Sequence, residues 1–257
     1  MLTLEHLAER VTAIEPPRRF DPFSRRLPKE ELFLLHEKWT PLLGLKNTEK
    51  SHIRYLHHRL LNVETSCSGR MAGDAREAVL RMLVATAVQA DAFRMLEIGT
   101  LFGVNAAATW DIAVTSFGNA SLTIIDPLEG YYGAGRRDPA TGLPITRRTV
   151  ELNLSRMGVP ASDVQLIQGM SQDGSVISRA GEKSYNYMFI DGDHSAEGVI
   201  RDWRNYGSML ERGGYAIFDN YNDPSWPEVK EAVDLIGGDP TLELVGVEWH
   251  TIVFRKK

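Results

Sequence analysis

The stretch that decides the fold is FRMLEIGTLFG, residues 93–103. Its first six residues are mostly apolar, as expected for a strand that is buried on both faces of a sheet. Gly99 then allows a sharp turn, and Gly103 allows the next helix to approach the sheet closely. The stretch therefore predicts a strand, a tight turn and a helix, which is the repeating unit of a wound α/β sheet.

The chain after residue 103 continues this alternation of strands and helices. Further short apolar runs predict strands at residues 122–126, 164–168, 187–191, 215–219, 242–247 and 251–254. Helical spacing of apolar residues is found at residues 104–116, 147–157, 195–210 and 226–236. Such alternation predicts a mainly parallel, doubly wound sheet. The last two strands are joined too tightly for a helical crossover, so we expect them to pair antiparallel.

The N-terminal part of the chain has a different texture, with helical patterns and no convincing strand over residues 1–90. Two short amphipathic helices are indicated near residues 32–39 and 53–61. A third begins near Asp74, a good N-cap that is followed three residues later by Glu77. We therefore expect a helical extension over residues 1–65 and one α/β domain over residues 66–257.

Composition excludes several classes of protein. The 257 residues carry a net charge of −5 and are 43% hydrophobic, which is typical of globular proteins. This acidic balance argues against a nucleic-acid binder with a basic face. Cys67 is the only cysteine, so no intrachain disulfide can form. Since neither a long apolar run nor a basic leader is present, we expect no membrane span, no signal peptide and a cytoplasmic location.

Acidic residues occupy the positions where a sheet of this kind binds its ligands, beyond the carboxyl ends of the strands. Four of the five predicted parallel strands end with or beside an acid: Glu97, Asp126, Asp191 and Asp219. A single acid there could equally cap the helix that follows. Four acids at corresponding positions favour a ligand site.

The glycine turn favours a cationic nucleoside over a dinucleotide. Its glycines lack the G-x-G-x-x-G spacing of dinucleotide-binding loops. Glu97 would repel a pyrophosphate but attract a positively charged ligand. S-adenosylmethionine, whose sulfonium carries a positive charge, is the obvious nucleoside of this kind. Asp126 is suited to ribose hydroxyls. Gly169, Met170 and Ser171 follow the third predicted strand. They suit the edge of an adenine-binding slot, or alternatively a plain loop with a helix cap.

The fourth and fifth strand ends read DGDH (residues 191–194) and FDN (residues 218–220). Adjacent strands lie about 5 Å apart, so Asp191, Asp219 and Asn220 should converge. Two carboxylates and an amide oxygen suit a hard divalent cation such as Mg²⁺, and no Cys/His cluster suggests zinc. His194 is the candidate proton acceptor, although a capping or packing role is the alternative. Asp193 is a second candidate base, or it orients His194.

A loop of unusual length, residues 127–146, follows Asp126. It contains several glycines and prolines, the pair Tyr131 and Tyr132, and the pair Arg136 and Arg137. Loops of this length in compact domains are usually functional or disordered. We interpret it as a lid or a wall beside the acceptor, with a mobile surface loop as the alternative.

Together, the EIGTLFG turn, Asp126 and the DGDH and FDN strand ends resemble class I S-adenosylmethionine-dependent methyltransferases. They are most similar to the metal-dependent O-methyltransferases, including the bacterial group of macrocin-type, natural-product and sugar enzymes. The resemblance covers roughly residues 65–257. It implies a Rossmann-like seven-stranded sheet of order 3-2-1-4-5-7-6 with strand seven reversed.

The resemblance also implies roles for individual residues. Asp191, Asp219 and Asn220 would bind the metal, and residues 68–70 would lie where relatives cover the cofactor. His194 stands where the catechol and caffeoyl-CoA enzymes have a lysine, so the base stays open between His194 and Asp193. The implied cofactor-binding residues are Glu97, Gly99, Thr100, Asn105, Asp126, Gly169, Met170, Ser171 and Asp191, with Asn105 at the methionine carboxylate.

The favoured hypothesis is metal-assisted methylation of a hydroxyl on a small molecule, a sugar or a natural product. The alternatives are a metal-free N-, C- or O-methyltransferase, a non-catalytic nucleoside-binding or assembly module, and an NAD-dependent enzyme, which the glycine spacing disfavours. We expect no nucleic-acid or membrane partner and consider a homo-oligomer possible. Three aromatic residues could line an acceptor pocket or pack in the core: Tyr221, Trp226 and Trp249.

Overall fold

The protein is described by a computed structural model over residues 25–128 and 135–257. Residues 1–24 of the predicted N-terminal extension lie outside the described residues. The same holds for Tyr131 and Tyr132 of the predicted lid. None of the described helices combines the length and the apolar character that a membrane span requires.

A seven-stranded sheet forms the centre of the molecule. Its strands are β1 (Phe93–Ile98), β2 (Ala120–Asp126), β3 (Val164–Gln168), β4 (Tyr185–Ile190), β5 (Leu210–Phe218), β6 (Leu242–Glu248) and β7 (Thr251–Lys256). Their order is β3-β2-β1-β4-β5-β7-β6. The first five strands pair parallel, and β7 runs antiparallel to both β5 and β6. The predicted strand order and the reversal of the seventh strand are therefore confirmed.

Eight α-helices flank the sheet in the described part of the chain. They are α1 (Lys29–Leu42), α2 (Lys50–Ser66), α3 (Ala75–Ala87), α4 (Val104–Phe117), α5 (Arg147–Arg156), α6 (Gly174–Ala180), α7 (Ala196–Tyr206) and α8 (Pro227–Ile236). Helix α6 was not predicted, because it has seven residues and buries only Val176 and Ala180, too few for a periodic pattern. The helix predicted at residues 195–210 corresponds to α7 followed by a 3₁₀ turn over Gly207–Met209, so the prediction was wrong only at its ends, where Leu210 already begins β5.

The two faces of the sheet carry separate hydrophobic cores. In β4, Tyr187 and Phe189 face the helices that precede and follow β1, whereas Met188 and Ile190 face the side of α7 and α8. Every residue of β4 is buried, so the strand is apolar apart from Asn186 rather than alternating between polar and apolar residues. The observed register of the central strands, with Ile98 of β1 opposite Ile190 of β4, places their carboxyl ends side by side.

The described N-terminal helices share the first of these cores. Trp39 of α1 and Leu56 of α2 are fully buried in the same cluster as Phe93 of β1. Helix α3 begins as predicted, because Asp74 Oδ1 accepts the Arg76 N–H at 2.7 Å and Glu77 Oε2 accepts the Asp74 N–H at 3.0 Å. The division of the chain at residue 65 stays a prediction.

Candidate functional site

A cavity of about 720 Å³ opens over the carboxyl ends of β1 to β5. This is the edge of the sheet where open α/β folds bind ligands. Glu97 and Asn105 line a smaller pocket beside it, which shares Gly99, Thr100 and Asp191 with the large one. The other residues predicted for the site all line the cavity: Gly99, Thr100, Asp126, Gly169, Met170, Ser171, Asp191, Asp193, His194, Asp219 and Asn220.

The turn at Gly99 joins the ends of β1, β2 and β4. Gly99 has a φ of +81°, and a Cβ there would overlap the carbonyl oxygen of Asp191. Its N–H donates to the Ile125 carbonyl at 2.9 Å. The left-handed backbone and the contact with β4 together restrict this position to glycine. The predicted sharp turn is confirmed.

The Asp126 carboxylate holds this turn in place. Its Oδ2 accepts the N–H groups of Thr100 at 2.7 Å and Leu101 at 3.3 Å, and Oδ1 accepts the N–H of Leu128 at 2.7 Å. Burial raises the pKa of Asp126 above its usual value, against the opposite effect of these three hydrogen bonds. A carboxylate offers about four acceptor positions, so room is left for a ligand, and the ribose role stays a prediction.

Glu97 lies deep beneath the turn, with 1% of its surface exposed. Its Oε1 accepts the Asn105 Nδ2–H at 3.1 Å. Burial is the main cause that raises the pKa of Glu97 to about 8. The carboxyl therefore remains largely protonated at neutral pH unless a positive charge lies beside it.

Asp191 and Asp219 follow β4 and β5 directly. Asp191 Oδ1 lies 3.2 Å from His194 Nε2. Asp219 Oδ1 accepts the Thr251 hydroxyl at 2.9 Å and lies 3.6 Å from Arg81 Nη1. Burial and the nearby charge of Asp219 raise the pKa of Asp191 to about 6. The two carboxylates thus concentrate negative charge in a buried place, which a cation would relieve.

The chemistry of these donors fits a hard cation. Asp191 and Asp219 supply carboxylates. Asn220 Nδ2 donates a hydrogen bond to Asp223 at 3.4 Å, which leaves the Asn220 amide oxygen available as a metal ligand. Within residues 25–128 and 135–257, no group of three or more His, Cys, Asp and Glu side chains is arranged as a metal centre. The Mg²⁺ site therefore stays a prediction that depends on the amide as third ligand.

The two candidate bases lie in different surroundings. Asp193 Oδ1 accepts the Ser195 N–H at 2.9 Å, and its side chain fills the space beside Gly198, so it fixes the start of α7. The His194 ring packs on Trp226, with ring centroids 4.6 Å apart, and lines the cavity next to Asp191. Both residues line the cavity, so the identity of the base stays a prediction that is open between His194 and Asp193.

Part of the cavity wall comes from residues that were predicted to have other roles or none. Glu77 was expected only as a helix cap, yet its Oε1 also accepts the His250 N–H at 2.7 Å. This bond ties α3 to the turn between β6 and β7, where Trp249 and His250 line the cavity. Only tertiary packing brings α3 to this turn, so no local pattern could have revealed it.

The described end of the long loop also packs beside the cavity. Asp138 is fully buried, and its Oδ1 accepts the Arg70 Nη2–H at 2.8 Å. Its Oδ2 accepts the N–H and the hydroxyl of Thr141 at 2.9 and 2.7 Å. Since Arg70 lines the cavity, this ion pair joins the loop to the segment before α3. None of the described residues 135–146 lines the cavity itself, so the wall and the lid roles both stay predictions.

Comparisons with known sequences agree with this geometry. Residues 96–221 match a family model described as a methyltransferase domain. A stretch of 90 residues is 36% identical to uncharacterized protein R132 of Acanthamoeba polyphaga mimivirus. That match covers 34% of this chain and 41% of the viral protein, so it spans about two fifths of that relative.

Solved structures share the fold at low sequence identity. The structure of the O-methyltransferase NovP has a TM-score of 0.57 and 16% identity, covering 72% of this chain and 81% of NovP. Cofactor-bound Rv0187 from MTB has a TM-score of 0.55 and 19% identity, covering 78% and 88%. An O-methyltransferase from Bacillus cereus in complex with SAH has a TM-score of 0.51 and 14% identity, covering 87% and 100%.

Proposed function

Because this chain carries a methyltransferase domain of the class I S-adenosylmethionine-dependent type, we propose that it methylates a hydroxyl group of a small molecule with the help of a divalent cation. The observation that carries the proposal is one cavity in which a nucleoside-type glycine turn meets the paired carboxylates of β4 and β5. A methyl donor on the turn and an acceptor at the carboxylates would then be neighbours. Methyl transfer needs this proximity above all.

On the donor side, adenosine would lie over the turn at Gly99 and Thr100. Asp126 would accept from the ribose, and Met170 and Ser171 would border the adenine. Met170 is 45% exposed, a large apolar side chain that an adenine ring would cover. S-adenosylmethionine bound in this way would direct its sulfonium towards the ends of β4 and β5.

On the acceptor side, Asp191, Asp219 and Asn220 would hold the cation. A bound Mg²⁺ supplies a positive charge that lowers the pKa of the acceptor hydroxyl. His194 takes the hydroxyl proton, and Asp191 at 3.2 Å stabilises the imidazolium that results. The acceptor oxygen then bonds to the methyl carbon as the carbon–sulfur bond breaks, which leaves S-adenosylhomocysteine.

The charge of the described cavity wall bears on the acceptor. Asp74, Glu77 and Asp223 line it, whereas the guanidinium of Arg70 already pairs with Asp138. An acceptor that carries phosphate or carboxylate groups would be repelled by such a wall. The geometry therefore favours a neutral or cationic sugar or natural product.

One observation favours a second candidate, a metal-free methyltransferase. Arg81 Nη1 lies 3.6 Å from Asp219 Oδ1, and the two side chains are 1% and 4% exposed. This buried guanidinium already balances part of the negative charge that a metal ion would balance. In that case Asp191 and Asp219 would position the acceptor directly.

The test uses the purified full chain, methyl-labelled S-adenosylmethionine and a panel of neutral polyhydroxylated acceptors. We expect S-adenosylhomocysteine to bind, label to appear on an acceptor oxygen, and transfer to stop with EDTA and resume with Mg²⁺. Asp219→Asn should abolish Mn²⁺ binding measured by calorimetry, whereas Asp234→Asn, on the exposed side of α8, should leave it unchanged.

Each step of the proposal has an outcome that would contradict it. Failure to bind S-adenosylhomocysteine would reject the donor. Transfer that persists in EDTA would reject the metal and support the metal-free alternative. Label recovered on nitrogen or carbon would reject a hydroxyl acceptor.

A further inference from the structure

Residues 71–73, in the connection between α2 and α3, lie where the donor and acceptor sides of the cavity meet. Ala72 and Gly73 line the main cavity, and Ala72 also borders the smaller pocket beside it. A Cβ on Gly73 would lie 3.7 Å from Asp219 Oδ2, so the segment passes directly beside an acceptor-side carboxylate. These three residues belong to no helix or strand, so their position depends on contacts from other parts of the chain.

Two such contacts come from the Arg25 side chain, at the start of the described chain. Its Nη1 donates to the Gly73 carbonyl at 2.7 Å, and its Nη2 donates to the Met71 carbonyl at 2.7 Å. A guanidinium can make both bonds at once because its N–H groups point in fixed directions within one plane. Arg25 therefore fixes the backbone on either side of Ala72.

Arg25 is itself held in place by α2. Its side chain is 10% exposed, and its Nε lies 3.3 Å from Oε1 of the buried Glu64. The Leu27 N–H donates to His57 Nε2 at 3.2 Å, which fastens the backbone two residues further on. Burial raises the pKa of Glu64, whereas the positive charge of Arg25 acts in the opposite direction. The guanidinium thus connects α2 to the cavity wall from a defined position.

We propose that Arg25 is a positioning residue for ligand binding, which holds residues 71–73 as a wall shared by the methyl donor and the acceptor. The inference rests on the proposed function, because it takes S-adenosylmethionine as the donor. It brings into the site a residue that lies well before residues 96–221, the part that matches the family model. A wall that is already ordered raises affinity, since less conformational entropy is lost when a ligand binds.

Two substitutions separate this positioning from the stability that the ion pair gives. Arg25→Lys keeps a positive charge opposite Glu64, but a compact ammonium lacks the planar fork that reaches two carbonyls and a carboxylate together. Glu64→Gln does the reverse, because it removes the ion pair and leaves Arg25 bonded to the Met71 and Gly73 carbonyls. Only Arg25→Lys should therefore loosen the cavity wall.

The test compares these two variants with wild type as full chains. Calorimetry measures S-adenosylhomocysteine binding, hydrogen exchange follows the amides of residues 71–76, and urea unfolding measures stability. We expect Arg25→Lys to weaken S-adenosylhomocysteine binding about 5–10-fold, the effect of roughly one lost hydrogen bond. The same variant should speed exchange at residues 71–76 about tenfold or more. Glu64→Gln should change only the free energy of unfolding.

Arg94→Lys is the matched control. The Arg94 Nη2 donates to both carboxylate oxygens of Glu211 at 2.9 and 2.7 Å, and neither residue lines the cavity. Arg94→Lys disturbs an arginine–carboxylate pair of similar kind, so it should alter neither S-adenosylhomocysteine binding nor exchange at residues 71–76.

Three results would reject the inference while the proposed function stands. They are unchanged S-adenosylhomocysteine binding by Arg25→Lys, unchanged exchange at residues 71–76, and equal weakening of binding by Arg25→Lys and Glu64→Gln. The last result would assign the effect to the ion pair. A wild-type protein that does not bind S-adenosylhomocysteine rejects the methyl donor itself, and the role of Arg25 with it.

If Arg25→Lys does not fold, hydrogen exchange of the wild-type protein decides. Amides of residues 71–76 that are protected and become slower still when S-adenosylhomocysteine binds support the inference. Amides whose exchange S-adenosylhomocysteine leaves unchanged overturn it, because the segment would then not be part of the wall around the donor.

Discussion

The cavity has two halves that are built in different ways. The cofactor half consists of residues 97–101, Asp126 and residues 169–171. The acceptor half consists of residues 191–194, residues 219–220, Trp226 and Trp249. Backbone N–H groups bonded to one carboxylate, Asp126, hold the cofactor half. The Glu77 side chain of α3, bonded to the His250 N–H of the β6–β7 turn, and Trp226 at the start of α8 hold the acceptor half. The cofactor half therefore depends on contacts between the ends of β1 to β3, whereas the acceptor half also needs α3 and the turn between β6 and β7.

The largest effect is expected where the two halves touch, at Gly99. Gly99→Ala would place a Cβ on the Asp191 carbonyl in a left-handed backbone, so we expect a loss of about 3–5 kcal/mol of unfolding free energy. Gly118→Ala is the control, because Gly118 has a φ of +70° with no atom within 4 Å of the added Cβ. It should cost about 1 kcal/mol. Urea unfolding measures the loss of unfolding free energy in both variants. Similar losses would contradict a steric contact between Gly99 and Asp191 where the two halves meet.

The same contrast explains what the sequence could predict. Strand ends and glycine turns are local features, so the turn at Gly99 and the acids at the strand ends were predicted from the residues themselves. The strand order was predicted from the family resemblance. Glu77 was predicted to cap α3, and it does, but its second bond to His250 depends on a helix and a turn that are 173 residues apart. Arg81 looked like any helical arginine. Its position among buried acids follows from how α3 packs over β1 and β4, which no short pattern encodes.

The next largest effect should separate chemistry from cofactor binding. His194→Gln should lower kcat on the order of 10²–10³-fold, the usual contribution of a general base, and leave the affinity for S-adenosylhomocysteine unchanged. His58→Gln, on the exposed side of α2, is the matched control. Steady-state rates and calorimetry give the two readouts.

Asp193→Ala completes this experiment. Because Asp193 Oδ1 caps the Ser195 N–H, we expect a loss of about 1 kcal/mol of unfolding free energy and a small change in kcat. A large fall in kcat for Asp193→Ala, with His194→Gln nearly as active as wild type, would transfer the role of base to Asp193.

A smaller effect is expected below the two halves, at Asp202 of α7. Its carboxyl is 2% exposed, and Oδ2 lies near Gly192 of the acceptor half. Burial is the main cause that raises the pKa of Asp202 to about 6, from 3.8. The folded protein therefore binds this proton more tightly than the unfolded chain, so stability falls as pH rises from about 4 to about 6 and then levels off.

Asp202→Asn removes this titration and keeps the size of the side chain. Relative to wild type, the variant should gain about 2 kcal/mol of unfolding free energy between pH 4.5 and pH 8. Urea unfolding at both pH values measures the difference. A constant difference between the two proteins would show that Asp202 is ionised in the fold at both pH values.

The smallest effect should be confined to the acceptor half. Trp249 has a φ of +50° in the turn between β6 and β7, is 52% exposed, and lies 5.0 Å from the Arg76 guanidinium. A bound acceptor would cover this large, half-exposed apolar ring. Trp249→Ala should therefore raise the KM for the acceptor about tenfold, equivalent to about 1.4 kcal/mol. S-adenosylhomocysteine affinity should not change, because Trp249 belongs to the acceptor half of the cavity. Leu235→Ala, which removes another exposed apolar side chain on α8, should change neither quantity. Weaker binding of S-adenosylhomocysteine by Trp249→Ala would mean that the two halves of the cavity are coupled through this turn rather than built independently.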